Sequence, residues 1–190
     1  MIPSLIGYWR SVPDPTNLDD TLKQVWDESE RRYKVVKGKD WGHDPRDDIY
    51  PWPAHLMEIG AGHENRIKVA AYLKAGHECN HDRGCNTCRI CGCRLGDFYR
   101  TDGTWIWPDG LDHYATEHQI RVPQEVWETI QAFNYRIPPK DDVRAMLAEH
   151  VEDVRFGGDA PEYWIVREID KTFWQEFART NEPQCFGRKL

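Results

Sequence analysis

Apolar residues recur at helical spacing in several segments of this chain, and the pattern predicts a mainly helical fold. The segments span residues 18–35, 64–74, 123–133, 139–153 and 171–179. In the fourth, the apolar residues recur at i, i+3, i+4 and i+8, which places them on one face of a helix. They are Val143, Met146, Leu147 and Val151.

Short apolar runs predict a smaller number of strands. Residues 98–101 and 104–107 flank Asp102-Gly103, a dipeptide that is typical of a two-residue hairpin turn. Residues 163–166 predict a further strand. The fold class is therefore predicted to be α+β, with one hairpin inside a mainly helical domain.

Four residues around the predicted hairpin have the spacing of a zinc site. Cys88 and Cys91 precede Gly92, while His113 and His118 lie just after the hairpin. Two thiolates and two imidazoles form a tetrahedral ligand set that Zn²⁺ accepts. Gly92 suits the left-handed backbone that lets the two sulfur atoms converge. We therefore predict one structural zinc ion, held by these two Cys and two His.

The two histidines belong to a helix that is expected to start near Leu111, with Asp109 as its cap. His113 and His118 are five residues apart, which is about 140° around an ideal helix, so the helix must end or distort between them. The order of knuckle, hairpin and helix is that of treble-clef and ββα zinc modules. This module is predicted to span about residues 77–122.

The remaining thiols are expected not to bind the main zinc. These are Cys79, Cys85, Cys93 and Cys185. A second ion remains an open alternative, because several donors lie just before and within the knuckle. Its ligands would come from Cys79, His81, Cys85 and Cys93.

The same segment resembles a family of uncharacterised bacterial proteins. The shared pattern is matched by Cys88–Gly92, Thr101–Gly103, Trp107–Tyr114, His118 and Arg121–Pro123. It covers about forty residues closely. The resemblance implies the same four ligands and carries no known activity.

Composition narrows the expected partners and location. The 190 residues carry 25 basic and 32 acidic side chains, a net charge of -7, which disfavours a nucleic-acid backbone as the partner. No apolar run approaches the ~18 residues of a membrane span. The start of the chain does not have the pattern of a signal peptide. The six Cys suit metal binding in a reducing compartment, so a cytoplasmic location is expected.

The chain is expected to form one domain, with a possible joint at Pro138-Pro139. Residues 1–137 would form the zinc-stabilised part, and residues 138–190 a C-terminal extension packed on it. Nine Trp, eight Tyr and six Phe can supply a core despite a mean hydropathy of -0.77.

A full zinc site and the acidic charge favour a non-enzymatic protein that binds another protein, of immunity, inhibitor or adaptor type. The alternative is a zinc-containing hydrolase or an HNH-like nuclease, which Asp112-His113 superficially matches. A nuclease site would use His113 for catalysis, so His113 would no longer be a ligand of the structural zinc. The enzyme would use residues 37–61 and their surroundings. Its cleft would bring together His43, His55 and His63 with Asp44, Asp47, Asp48 or Glu58.

Overall fold

A central β-sheet organises the computed structural model of this protein. The structure describes residues 1–10, 22–27, 29, 32–37, 46, 49–57, 63–154 and 163–181. Within these residues lie a six-stranded sheet and a separate two-stranded sheet, together with α-helices. The predicted mixture of helices and strands is confirmed. The prediction of a mainly helical fold is wrong, because strands fill the centre of the molecule.

The strands contribute to the sheets in an order that differs from their order in the chain. They are β1 (Ser4–Leu5), β2 (Leu22–Asp27), β3 (Arg32–Lys37), β4 (His77–Thr87), β5 (Arg94–Thr101), β6 (Trp105–Pro108), β7 (Val151–Val154) and β8 (Tyr163–Val166). The large sheet has the order β1-β6-β5-β4-β8-β7. Its β1–β6 and β4–β8 pairs are parallel, and the others are antiparallel.

The helices pack around this sheet. They are α1 (His63–Ala75), α2 (Leu111–Glu117), α3 (Gln124–Ala132), α4 (Lys140–Leu147) and α5 (Thr172–Asn181), with short 3₁₀ turns at Pro53–Leu56 and Ala148–His150. The predicted helices at 64–74, 123–133 and 171–179 are confirmed within one or two residues. The predicted strand at 163–166 has the same bounds as β8.

The predicted helix at residues 18–35 is wrong where the structure describes it. Residues 22–27 and 32–37 form the antiparallel pair β2–β3, with Val25 opposite Lys34 and Trp26 opposite Tyr33. Valine, tryptophan and tyrosine all favour strands. Backbone pairing between the two halves of the segment therefore overrides its helical spacing of apolar residues.

The predicted helix at 139–153 is too long. Helix α4 ends at Leu147, where Ala148 takes a positive φ of 46°. The chain then continues into β7, in which Val151 pairs with Val166 of β8. The apolar spacing continues past the helix because the sheet also needs apolar residues, so periodicity alone could not locate the boundary.

Aromatic side chains fill the core, as the composition predicts. Trp107, Trp164 and Trp174 are almost fully buried. Two of their indole N–H groups donate to main-chain carbonyls, Trp107 to Leu73 at 3.0 Å and Trp174 to Tyr8 at 2.5 Å. These bonds satisfy the polar atom of a large buried ring.

Residues on both sides of Pro138 contribute to the same sheet. Cys79 of β4 pairs with Trp164 of β8, and the main-chain N–H of Leu5 donates to the carbonyl of Asp170 at 2.7 Å. The division at residues 137 and 138 stays a prediction. Among the described residues, no helix combines the length and apolar character that crossing a bilayer requires.

Candidate metal centre

A tight turn after β4 presents the two predicted cysteine ligands. The N–H of Gly92 donates to the carbonyl of Cys88, and the N–H of Cys88 donates to the carbonyl of Cys93, both at 2.9 Å. Gly92 has a φ of 73°, the left-handed conformation predicted for it. The Cys88 Sγ accepts N–H groups from Ile90 at 3.4 Å and Cys91 at 3.5 Å. Such bonds stabilise negative charge on the sulfur.

The hairpin that follows is present, but its turn is wider than the predicted two-residue turn. Thr101 pairs with Ile106, which leaves four residues between the paired positions. Asp102 organises them, because its Oδ1 accepts the N–H groups of Thr104 at 2.8 Å and Trp105 at 2.7 Å. An aspartate side chain that mimics a turn in this way tolerates a loop longer than the dipeptide signal suggests.

The same carboxylate joins the hairpin to α1. The Tyr72 hydroxyl donates to Asp102 Oδ2 at 2.7 Å. Burial raises the pKa of Asp102, and burial together with the nearby Asp102 raises the pKa of Tyr72. The hairpin that precedes the metal centre is therefore anchored in the core by a buried polar pair.

Asp109 does not cap α2, contrary to the prediction. Its Oδ1 accepts Nε of Arg100 at 2.6 Å, and its Oδ2 accepts the N–H of Phe98 at 3.2 Å. The residue before α2 is Gly110, with a φ of 94° and no side-chain cap. The carboxylate pairs with a full positive charge on Arg100 and also accepts a main-chain N–H of β5, so Asp109 stabilises the sheet instead.

Helix α2 ends between the two histidines, as their spacing predicts. Its last residue is Glu117, and His118 leaves the helical conformation with φ −114° and ψ 3°. Gln119 then takes a positive φ of 54°. The break turns the second imidazole toward the first, and the Nε2 atoms of His113 and His118 lie 3.1 Å apart.

The four predicted ligands come together in one cluster. The donor atoms of Cys88, Cys91, His113 and His118 all lie within 4.8 Å of one another. Cys88 Sγ is 3.2 Å from Nε2 of His118, and Cys91 Sγ is 3.4 Å from Nε2 of His113. A tetrahedral zinc site has edges of about 3.6 Å between S and N and about 3.3 Å between two N atoms, from its bond lengths. The two measured S–N separations and the 3.1 Å between the Nε2 atoms lie within a few tenths of an ångström of such edges, and no other pair exceeds 4.8 Å, so the cluster can hold a metal ion.

Burial gives the donors different electrostatic environments. Cys88 is buried, Cys91 is exposed, and both histidines are half-buried. Burial raises the pKa of the Cys88 thiol, so its thiolate needs a cation beside it. Burial, followed by the neighbouring His113, lowers the pKa of His118 and favours its neutral form. A neutral imidazole is the form that binds metals.

Cys93 lies closer to the cluster than its sequence position indicates. Its Sγ is 3.5 Å from Nε2 and 3.8 Å from Nδ1 of His113. It is exposed, and it stands outside the set of four whose donor atoms converge. The CxxC spacing and Gly92 identify Cys88 and Cys91, whereas the proximity of Cys93 follows from the closing of the turn.

The other candidate ligands are spread along β4 and beyond. Cys79 is fully buried and burial raises its pKa, while His81 Nε2 contacts Asp97 Oδ2 at 3.2 Å. The side chain of Cys85 and the whole of Cys185 lie outside the described residues. In the part of the chain that is described, the Cys88 cluster is the one group with metal-ligand geometry.

Tyr114 is a supporting residue that sequence reasoning did not single out. Its hydroxyl oxygen accepts the N–H of Arg89 in the cysteine turn at 2.6 Å. Its ring centroid lies 5.9 Å from that of His113 and 5.9 Å from that of His118. Tyr114 thus connects the turn that carries the thiols to the helix that carries the imidazoles. The sequence feature that could have identified Tyr114 is its position next to the predicted ligand His113.

The cleft of the enzyme alternative falls mostly outside the described residues. Of its proposed members, His55 alone has a described side chain. The others are His43, His63, Asp44, Asp47, Asp48 and Glu58. His113 instead lies among the metal donors, where the zinc interpretation places it.

No protein-family model matches this chain, and comparisons with curated proteins and with solved structures gave no match.

Proposed function

We propose that this protein is stabilised by one structural zinc ion and that its role is to bind another protein, as immunity, inhibitor and adaptor proteins do. The single observation that carries the structural role is the convergence of four donors, two S and two N, within 4.8 Å. A catalytic zinc keeps one position open for water or substrate, whereas four protein ligands close the coordination sphere.

Zinc is the metal that this ligand set favours. Two thiolates with two imidazoles in tetrahedral geometry select zinc over the harder ions Mg²⁺ and Ca²⁺, which prefer oxygen. The turn, the β5–β6 hairpin and α2 follow one another as in treble-clef modules. We include in the proposal that this part of the chain is a treble-clef-like zinc module.

The elements that the ion would join are too short to be stable alone. β6 has four residues and α2 has seven. Isolated hairpins and short helices are marginal in water, so the free energy of metal binding would stabilise this part of the fold. The ion would also fix the chain after His118, where the N–H of Arg121 donates to the carbonyl of Leu56 at 3.1 Å.

The surface supports a protein partner. The net charge of -7 suits a partner with a basic face, since complementary charge speeds association and suppresses wrong partners. Exposed Ile90 lies in the cysteine turn itself, so the metal module presents an apolar side chain to solvent.

The structural role is tested by metal analysis and hydrogen exchange on the full chain. We expect about one zinc per chain in protein purified without added metal. A strong chelator should remove protection from the cysteine turn and α2, whereas β5 and β6, which lie inside the six-stranded sheet, should keep part of theirs. Absence of zinc would contradict the proposal. Rapid loss of an enzymatic activity from a chelated protein that stays folded would make the metal catalytic.

The binding role is tested by reciprocal affinity purification from the source cells. The zinc-loaded protein should recover a partner that, when tagged itself, recovers this protein. Ile90→Ser should weaken that recovery at unchanged zinc content, whereas Ile67→Ser, at an exposed position on α1, serves as the matched control. Failure of both reciprocal purifications would contradict a protein-binding role.

A further inference from the structure

A large cavity lies on the side of the molecule formed by α1, α3 and α5. Its volume is about 710 Å³, which is within the range of small-molecule sites. Residues from the start of α1, from the segment 119–123, from the start of α3 and from α5 line it. None of the four metal donors is among the described lining residues, so this cavity is a separate site. We call it the aromatic recess.

Three aromatic side chains give the recess its apolar walls. Trp127 comes from α3, and Phe173 and Phe177 come from α5. The two phenylalanines are four residues apart and therefore lie on one face of their helix. Phe173 packs on Trp105 with ring centroids 4.8 Å apart, and Phe177 stacks on Trp174 at 5.1 Å. The walls are thus fixed by the core and are preformed for a flat apolar group.

Two arginines in the recess are held by neutral amides. Arg66 donates from Nη1 to Oε1 of Gln119 at 2.8 Å. Arg121 donates from Nη2 to Oδ1 of Asn181 at 2.5 Å, and its guanidinium carbon lies 6.0 Å from the ring centroid of Phe177. Within the described part of the chain, neither guanidinium forms an ion pair. Both are oriented by these amides, and among the described residues neither is paired with a carboxylate.

The half-buried arginine determines which charge we expect on the ligand. Arg66 is half-buried, whereas Glu125 and Glu176, which also line the recess, are exposed. A partly desolvated charge gains from a counter-ion, while exposed carboxylates are screened by water and salt. The half-buried Arg66 therefore favours an anion over a cation as the ligand of the recess.

We propose that the aromatic recess binds a small organic anion, a carboxylate carried on an aromatic body. The carboxylate would accept hydrogen bonds from Arg66 and Arg121, for which the guanidinium fork is well suited. The aromatic body would pack against Trp127, Phe173 and Phe177. The recess does not include the four metal donors, and a ligand for it goes beyond the proposed protein binding.

The test uses 1-naphthylacetate as the probe and its neutral amide, 1-naphthylacetamide, as the matched control. Both are titrated into the full metal-loaded chain and followed by calorimetry and NMR. We expect the acid to bind with a Kd on the order of 1 mM or tighter, as the affinity per atom of ordinary ligands implies. The amide should bind at least about tenfold more weakly, because it lacks the charge.

Variants then assign the binding to the recess. Arg66→Gln and Arg121→Gln should each lower the affinity for the acid several-fold and leave the amide unchanged. Arg167→Gln is the control, because Arg167 pairs with Glu152 on β7 and lies outside the recess. Arg121 is exposed, so its variant should fold normally even if Arg66→Gln does not. Equal binding of acid and amide, no binding at several millimolar, or the same affinity in the Arg121 and Arg167 variants would each overturn the proposal.

Discussion

The metal centre and the aromatic recess are built from the chain in different ways. All four metal donors lie between Cys88 and His118, whereas the recess is lined by residues from Asn65 to Asn181. A site whose members are close in sequence can be recognised from spacing, because the local turn and helix determine which side chains converge. A site whose members come from distant helices depends on how those helices pack.

The two regions meet at one short segment. His118 is a metal donor, and Gln119 directly after it holds Arg66 in the recess. Gln119 has a positive φ, which a residue other than glycine adopts only when its surroundings hold it there. Zinc binding and ligand binding in the recess should therefore be coupled, and by thermodynamic linkage each should raise the affinity for the other.

Removal of a metal ligand should have the largest effect, because it breaks both regions. Cys91→Ser should reduce zinc from about one ion per chain to nearly none and unfold the module, since binding and folding are coupled. Loss of the ordered segment after His118 should also abolish binding of 1-naphthylacetate. Metal analysis, circular dichroism and the same titration measure these effects.

Cys93→Ser is the matched control for that experiment. Cys93 lies 3.5 Å from His113 but outside the converging set, so its variant should keep zinc, fold and binding unchanged. If Cys93→Ser loses zinc and Cys91→Ser keeps it, Cys93 is the ligand and the assignment of the turn is wrong.

A change at Gly110 should have an intermediate effect that begins in the metal centre. Gly110 has a φ of 94°, and a Cβ built there would lie 2.5 Å from Cβ of Leu95. Backbone strain and overpacking together should lower the free energy of unfolding by about 2–4 kcal/mol in Gly110→Ala. Because α2 starts here, zinc affinity should fall as well. Thermal and chemical unfolding measure the change.

Gly103→Ala isolates the conformational part of that effect. Gly103 has nearly the same φ, 93°, but its nearest contacts are the flexible Met146 side chain at 3.1 Å. We expect a loss of about 1–2 kcal/mol and unchanged zinc affinity. Equal losses in the two alanine variants would show that the contact with Leu95 is unimportant.

We expect the smallest effect from a change at Asp170. Of the two regions, only the recess should be affected. Its Oδ1 accepts the N–H of Thr172 at 2.9 Å and the hydroxyl at 2.6 Å, at the start of the helix that carries Phe173 and Phe177. Asp170→Ala should lower the free energy of unfolding by about 1 kcal/mol, as loss of a cap does. Binding of the probe should weaken slightly, and zinc content should not change.

The Asp170 effect should also depend on pH. The Thr172 hydroxyl and N–H lower the pKa of Asp170 below its usual value. A lowered pKa in the folded state means that the stabilisation is complete above the unfolded pKa of about 3.9 and is lost as pH falls through the folded pKa. The difference between the native protein and Asp170→Ala should therefore shrink in acid. Asp170→Asn keeps an acceptor and should show little pH dependence; an unchanged difference at pH 3 would contradict this role.

The sequence by itself determined the features that depend on local geometry. The CxxC spacing with Gly92 and the break between His113 and His118 both follow from interactions within a few residues. In each case the residue type limits the backbone or the ligand chemistry so strongly that distant contacts have little left to decide.

Tertiary structure decided what depends on competition between distant partners. Residues 18–35 carry helical spacing, yet the described parts of this region, residues 22–27 and 32–37, pair as antiparallel strands. Asp109 has the sequence position of a helix cap, yet its carboxylate accepts a hydrogen bond from the guanidinium of Arg100. The recess combines residues of α1 and α5 with the segment between residues 115 and 127, and no spacing rule connects these regions. Each of these outcomes depends on which groups become neighbours after folding, and hydrogen bonds and burial then favour the alternative that local preference does not.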